Sequence, residues 1–227
     1  MTLILGVITF TDTLSQGKVS KNKKAIINSL EAHKDRLIEI SDNIWEAAEP
    51  ALLEFKSSKY LSDYAEENGF RVTRSVAEIP TAFVAEFGSG KPVIGILGEF
   101  DANPGISQKK QPTKDPLVKG AAGHGCGHNL YGTGSLGAAI AIKEMIESGE
   151  ISGTVRFYGT PAEETIFAKV WMVRAGLFDD VDVCMDWHPS DEVEAATQSS
   201  KALVDFRLRF YGDASHASGD PWNGNSA

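Results

Sequence analysis

The sequence predicts an α/β fold, a mixed sheet covered by helices, and three observations predict it. Short apolar runs of strand length recur at Val93–Leu97, Thr154–Tyr158 and Val181–Trp187, each bounded by glycine, proline or polar residues. Between them lie segments with apolar residues at steps of three and four, the spacing of one helical face. The two patterns alternate along the chain rather than segregate, which favours helices on the faces of a partly parallel sheet.

The elements follow in order. Residues 1–19 hold the apolar run Leu3–Phe10 with small polar residues after it. It reads either as the core of a secretory signal, with no Lys or Arg ahead of it, or as a buried N-terminal strand. Asn22–Ala48 is one long helix, because Ile26, Leu30, His33, Leu37, Ile40 and Ile44 share a face. His33 on that stripe is a packed histidine. Ser57–Asn68 is a second helix, and Gly69 suits its end. Strands are expected at Arg71–Val76, Ala82–Phe87 and Pro92–Leu97, with Gly88-Ser89-Gly90 turning between the last two as in a hairpin. The unbroken apolar run Val93–Leu97 implies a strand covered on both faces. Residues 102–125 lack periodicity and form a long loop, the kind of segment that is often functional. Gly134–Ser148 is a helix, Thr154–Tyr158 a buried strand, Ala168–Gly176 a short helix and Val181–Trp187 a strand.

The pattern changes after Pro189. Glu192–Gln198 and Ala202–Tyr211 read as strands, the second with Val204, Phe206, Leu208 and Phe210 on one face, the mark of an antiparallel sheet. This places a domain boundary near residue 197. Residues 198–227 are then the first strand and turn of a second, α+β domain. About 30 residues cannot bury a useful core, so the chain reads as truncated.

Charge and composition exclude some functions. The net charge is -9, whereas phosphate binding needs clustered Lys and Arg, so no nucleic-acid partner is expected. The basic run Lys18–Lys24 reads as a solvated helix end. With 2 cysteines, no disulfide framework is expected. No apolar run reaches the ~20 residues of a membrane-crossing helix. The choice between a cytoplasmic and a secreted or periplasmic location rests on the undecided N-terminal run.

Three clusters carry chemistry, each at the end of a buried strand or the start of a helix, where ligands bind in open α/β sheets. In Gly123-His124-Gly125-Cys126-Gly127-His128, a thiolate and an imidazole two residues apart can reach one ion. That pair favours zinc over cations that want oxygen ligands. His124 beside them is a candidate for orienting a ligand. Pro161-Ala162-Glu163-Glu164 supplies two carboxylates that can divide the work, one holding a metal and one moving a proton. Asp186-Trp187-His188-Pro189 offers a third donor at a strand end. In Glu99-Phe100-Asp101, Asp101 can hydrogen-bond a ligating imidazole and fix its tautomer. Cys184, four residues before His188, lies about 13 Å upstream at strand spacing and reads as a core residue.

These clusters, in this order, resemble the aminoacylase/carboxypeptidase family of two-metal amidohydrolases, most of all its aminobenzoyl-glutamate utilisation branch. The stretches GILGEFDANPGISQ, GHGCGHNLYGTGSLGAAIAIK, GTVRFYGTPAEE, MVRAGLFDDVD, WHP and ASHAS carry the likeness, which covers nearly the whole chain from Asn22. The resemblance implies an incomplete zinc-peptidase-like catalytic domain followed by the start of a lid or dimerisation domain. It implies one or two zinc ions, with manganese as an option, held by Cys126, His128, Glu164 and His188. Glu163 is then the general base and Asp101 the orienting carboxylate. His216 is then the lid histidine that helps stabilise an oxyanion in the opposite protomer of a homodimer. The implied substrate is the amide bond of an N-acyl or N-aroyl amino acid or small peptide. A further histidine ligand is expected downstream of this chain, so the chain alone is expected to be inactive. The chain departs from the pattern in the segment Thr165–Met172, where small residues are usual, and at Asn225.

Two other readings compete. A thiol hydrolase would use Cys126 as nucleophile and His128 as base, but leaves Glu163, Glu164 and His188 unexplained. An inactive homologue, or a truncated product, would only bind or dimerise.

Overall fold

The computed structural model describes residues 19–192, 202–204 and 206–225. They fall into two compact units, one running to Ser190 and one starting at Asp191. The run Leu3–Phe10 lies outside the described residues, as does the expected strand Glu192–Gln198 from residue 193 onward.

In the first unit, helix α1 spans Lys21–Ala47. The Ser20 hydroxyl caps it by accepting from the Lys23 amide at 3.2 Å. Helix α2 spans Phe55–Glu67. Its first turn is satisfied by the Glu49 carboxylate, which accepts from the amides of Lys56 and Ser57 at 3.1 and 2.9 Å. Gly69 follows it at φ +84°. Strand β1 is Arg71–Arg74, β2 Phe83–Ser89 and β3 Val93–Gly98. Helix α3 is His128–Glu147, strand β4 Gly153–Gly159, helix α4 Ala168–Arg174 and strand β5 Val183–Met185.

The sheet order is β1-β2-β4-β3-β5. β1–β2 and β2–β4 are antiparallel, whereas β4–β3 and β3–β5 are parallel. The hairpin expected between β2 and β3 therefore does not form. Gly88-Ser89-Gly90 does turn the chain, but β4 returns through α3 and takes the place between them. Ile94, Gly95 and Ile96 thus pair on both edges, and the continuous apolar run is a central strand.

Side chains alternate across the sheet. On one face Phe83, Ala85, Ile96, Val155 and Phe157 meet Ile40 and Ile44 of α1, Leu61 of α2, and Leu136 and Ile140 of α3. On the other, Tyr158 and Ala82 meet Ala168 and Met172 of α4. Burying a side chain such as Phe157 contributes about 1.5–3 kcal/mol.

Three expectations need correction. α3 begins at His128, not Gly134, because glycines and polar residues in its first turns mask the apolar stripe. Cys184 is exposed, since β5 pairs only with β3 among the described residues and leaves a side uncovered. In the second unit, residues 202–204 and 206–211 form no strand. The apolar alternation there finds no partner ladder among the described residues, and Val204 and Phe206 are 82% and 74% exposed. That unit is organised by a bridge between Asp213 and Asn225 and a 3₁₀ turn at Pro221–Asn223.

Candidate metal centre

The parallel strands β3, β4 and β5 deliver their next residues to one end of the sheet. Glu99 and Asp101 follow β3, Glu163 and Glu164 follow β4, and His188 follows β5. α3 starts at the same end with His128. Gly127 makes the entry possible. It has φ +79°, and a Cβ there would lie 3.0 Å from Pro189 Cγ, so glycine meets both the conformation and the space.

His128 is the centre of the cluster and is fully buried. Its Nδ1 lies 3.0 Å from Asp101 Oδ1 and 3.1 Å from the Asp101 carbonyl. Two acceptors on that nitrogen hold a proton there, so Nε2 is the atom that carries the lone pair when the ring is neutral. Around Nε2 stand Glu99 Oε2 at 2.9 Å, Glu164 Oε1 at 3.8 Å and Glu163 Oε2 at 4.0 Å. None is aligned as a hydrogen bond, so His128 Nε2 and Glu164 Oε1 are both buried without a hydrogen-bond partner among the described residues. Asp101 Oδ2 accepts from the Glu164 amide at 2.9 Å, so one carboxylate orients both an imidazole and the glutamate turn.

Cys126 Sγ lies 3.4 Å from His188 Nε2. His188 Nδ1 sits 2.9 Å from the Pro189 carbonyl, to which it donates, so Nε2 again carries the lone pair. The donor atoms of Cys126, His128 and His188 fall within 4.8 Å of one another, as do those of Glu99, His128 and Glu163. A soft thiolate, two imidazole nitrogens and several carboxylates suit a zinc-like cation. The orphaned Nε2 and Oε1 atoms are groups that such an ion would satisfy.

The electrostatics agree. Burial alone would lower the His128 imidazole, but Asp101 and Glu99 outweigh it and raise it to about 10. Burial, then the charge of Glu164, pushes the Cys126 thiol up to about 11. Burial, then the charge of Glu99, also raises the Glu163 carboxyl. The site therefore draws positive charge in and resists a free thiolate.

The sequence-predicted residues Asp101, Cys126, His128, Glu163, Glu164 and His188 thus meet at one point. His124 does not join them. Its Nε2 lies 3.1 Å from the Ile44 carbonyl, and burial pushes it down to about 4. His216 belongs to the second unit, where its Nδ1 accepts from the amides of Ser218 and Gly219 at 3.3 and 2.9 Å. Sequence reasoning missed Glu99, which is buried and ion-paired with Lys169. Its position two residues before Asp101 was the available signal, since an extended chain puts such residues on one side.

Residues 95–217 match the peptidase family M20/M25/M40. The chain is 46% identical over 205 residues to one of the p-aminobenzoyl-glutamate hydrolase subunits of Escherichia coli, covering 89% of this chain and 42% of that protein. It is 31% identical to the Xaa-Arg dipeptidase of Mus musculus, covering 95% of this chain and 49% of that one. A dinuclear metal binding peptidase of Bacillus subtilis from the M20 family superposes with a TM-score of 0.58 at 28% identity, over 68% of this chain and 42% of that chain. The chain therefore spans less than half the length of these relatives. The matched segment contains every residue that converges on His128, and on this agreement of sequence and geometry the chain belongs to peptidase family M20/M25/M40.

Proposed function

We propose that this chain carries the greater part of the metal site of an amidohydrolase that cleaves N-acyl or N-aroyl amino acids or small peptides. The observation that carries the reading is the convergence of Cys126, His128 and His188 within 4.8 Å, with a pair of glutamates facing the orphaned His128 Nε2. In this reading Cys126, His128, Glu164 and His188 hold one or two ions, zinc by donor chemistry and manganese as the alternative. A bound divalent cation supplies Lewis acidity and lowers the pKa of water.

The chain's own residues do the rest. Asp101 keeps the His128 proton on Nδ1 and so keeps Nε2 free to ligate. Glu163 accepts a proton from the attacking water and delivers it to the departing amide nitrogen, a role its raised pKa favours. His216 acts from the lid of the opposite protomer in a homodimer. Two amides donate to its Nδ1, so the neutral ring carries its proton on Nε2, a donor suited to an oxyanion. The names of the two relatives, a p-aminobenzoyl-glutamate hydrolase component and a dipeptidase, both point to amide bonds.

The thiol-hydrolase reading is weaker, because a Cys126 thiol near 11 leaves little thiolate at neutral pH without a metal. The test uses the complete gene product and p-aminobenzoyl-glutamate as probe. Glu163→Ala is expected to lower turnover by about 10²–10⁴-fold while metal content stays at the wild-type level. Wild-type turnover in that variant, or turnover that survives exhaustive chelation, overturns the assignment.

A further inference from the structure

The turn that presents Glu163 and Glu164 is unusual in its backbone. Ala162 has φ +56°, a left-handed conformation that costs a non-glycine residue about 1–2 kcal/mol. It is also fully buried, so its amide must find an acceptor inside the protein. That acceptor is Glu54 Oε1, at 2.9 Å and 108 residues upstream. The other Glu54 oxygen accepts from the Thr81 hydroxyl at 2.9 Å. Two residues on, the Glu164 amide donates to Asp101. Two buried carboxylates from separate segments therefore grip the turn on either side.

A helix cap does not explain Glu54. It precedes α2, but its side chain makes no capping bond there, and Glu49 already satisfies the first-turn amides. Nor is the position suited to a carboxylate on its own account. Glu54 is 0% exposed, and burying such a group is costly unless hydrogen bonds compensate. Burial, offset by those bonds, leaves it at about 7.

We propose that Glu54 is a positioning residue that, through the Ala162 amide, holds the left-handed turn in the shape that aims Glu163 and Glu164 at His128. The proposal rests on the reading that those glutamates move a proton and hold metal. It adds the remote group that keeps them in place.

The experiment uses the complete gene product with Glu54→Ala, Glu54→Asp and Glu54→Gln. The readouts are steady-state kinetics on p-aminobenzoyl-glutamate, zinc affinity by titration, and amide exchange at Ala162. Glu54→Ala is expected to lower kcat by roughly 10–100-fold with KM within about twofold. Zinc affinity should fall by about 10–100-fold, and Ala162 should lose exchange protection. Glu54→Asp retracts the acceptor by one methylene and should behave alike, which covers the case in which the alanine variant does not fold. Glu54→Gln keeps a carbonyl oxygen for the Ala162 amide and should restore all three readouts. Wild-type kcat and zinc affinity in Glu54→Asp, or a glutamine variant as impaired as the aspartate one, overturns the proposal. If Glu163→Ala retains turnover, the hydrolase reading fails instead. Exchange at Ala162 then still decides whether Glu54 holds the turn.

Discussion

Gly132 offers a quantitative test of how α3 is seated on the sheet. It lies one turn after His128, facing the end of β3. A Cβ built there would stand 2.6 Å from the Glu99 carbonyl oxygen and 3.2 Å from Leu61 Cδ1. The leucine can yield, but the carbonyl is backbone. Restoring an ordinary contact of ~3.5 Å asks for a displacement of about 0.9 Å from the 2.6 Å approach. Gly132→Ala gains about 1 kcal/mol of helix propensity, against an overpacking cost of about 1–3 kcal/mol. A net loss of about 1 kcal/mol is expected, or about 2–4 °C in melting temperature for a chain of this size. Because the same shift carries His128 away from Glu99 and Asp101, zinc affinity should fall by about 10–100-fold. Gly137→Ala is the internal control. Its Cβ would meet only the flexible ends of Leu37 and Leu30, at 2.9 and 3.2 Å, so zinc affinity should not change. Thermal unfolding and zinc titration read both variants. A Gly132→Ala protein that is more stable than wild type and binds zinc equally well refutes the argument.

Other predictions concern the site and its surroundings. Asp101→Ala removes the side-chain acceptor of both His128 Nδ1 and the Glu164 amide. Zinc affinity measured by titration should drop by about 10–100-fold, with a stability loss of about 1–3 kcal/mol. Chelation should lower the melting temperature. At zinc concentrations near 1,000 times Kd the bound ion contributes about 4 kcal/mol, and an unchanged melting curve would argue against a metal centre. For pH, Glu54 keeps its proton to about pH 7 in the fold but releases it near 4.5 when unfolded. The folded state binds more protons between those values. Its stabilisation is complete below 4.5 and is lost as pH rises through 7, by roughly 3 kcal/mol in all. The stability of Glu54→Gln relative to wild type should therefore improve across that window, as read by denaturant unfolding, and a pH-independent difference would contradict the assignment.

The sequence disclosed what is local. The stripe from Ile26 to Ile44 marks α1, and the run Val93–Leu97 marks a central strand, because helix and strand periods are written in neighbouring residues. The Cys126–His128 pair and the Glu163–Glu164 pair were legible for the same reason. What depends on distant partners was not. The turn after β2 looks like a hairpin whether or not the following strand pairs with it, and only the return of β4 decides. The start of α3 was hidden because Gly132 and Gly134 serve close approach rather than helix propensity. Cys184 seemed internal because it lies on a strand upstream of His188, yet among the described residues β5 pairs on one edge only. Glu99 and Glu54 act through space on His128 and Ala162, and no spacing in the chain announces either contact.

The placement of β4 has a consequence for assembly. In the folded sheet residues 153–159 lie between segments 83–89 and 93–98 and pair with both. A chain ending before β4 holds the segments of α1, α2 and Cys126 but lacks the strand that leads into Glu163 and Glu164. That one strand closes two ladders across long sequence separations, and the chain leaving it runs into Glu163 and Glu164. The turn that bears Glu163 and Glu164 is thereby tied to closure of the sheet, whereas Glu99, Cys126 and His128 precede that strand in the chain and His188 follows β5.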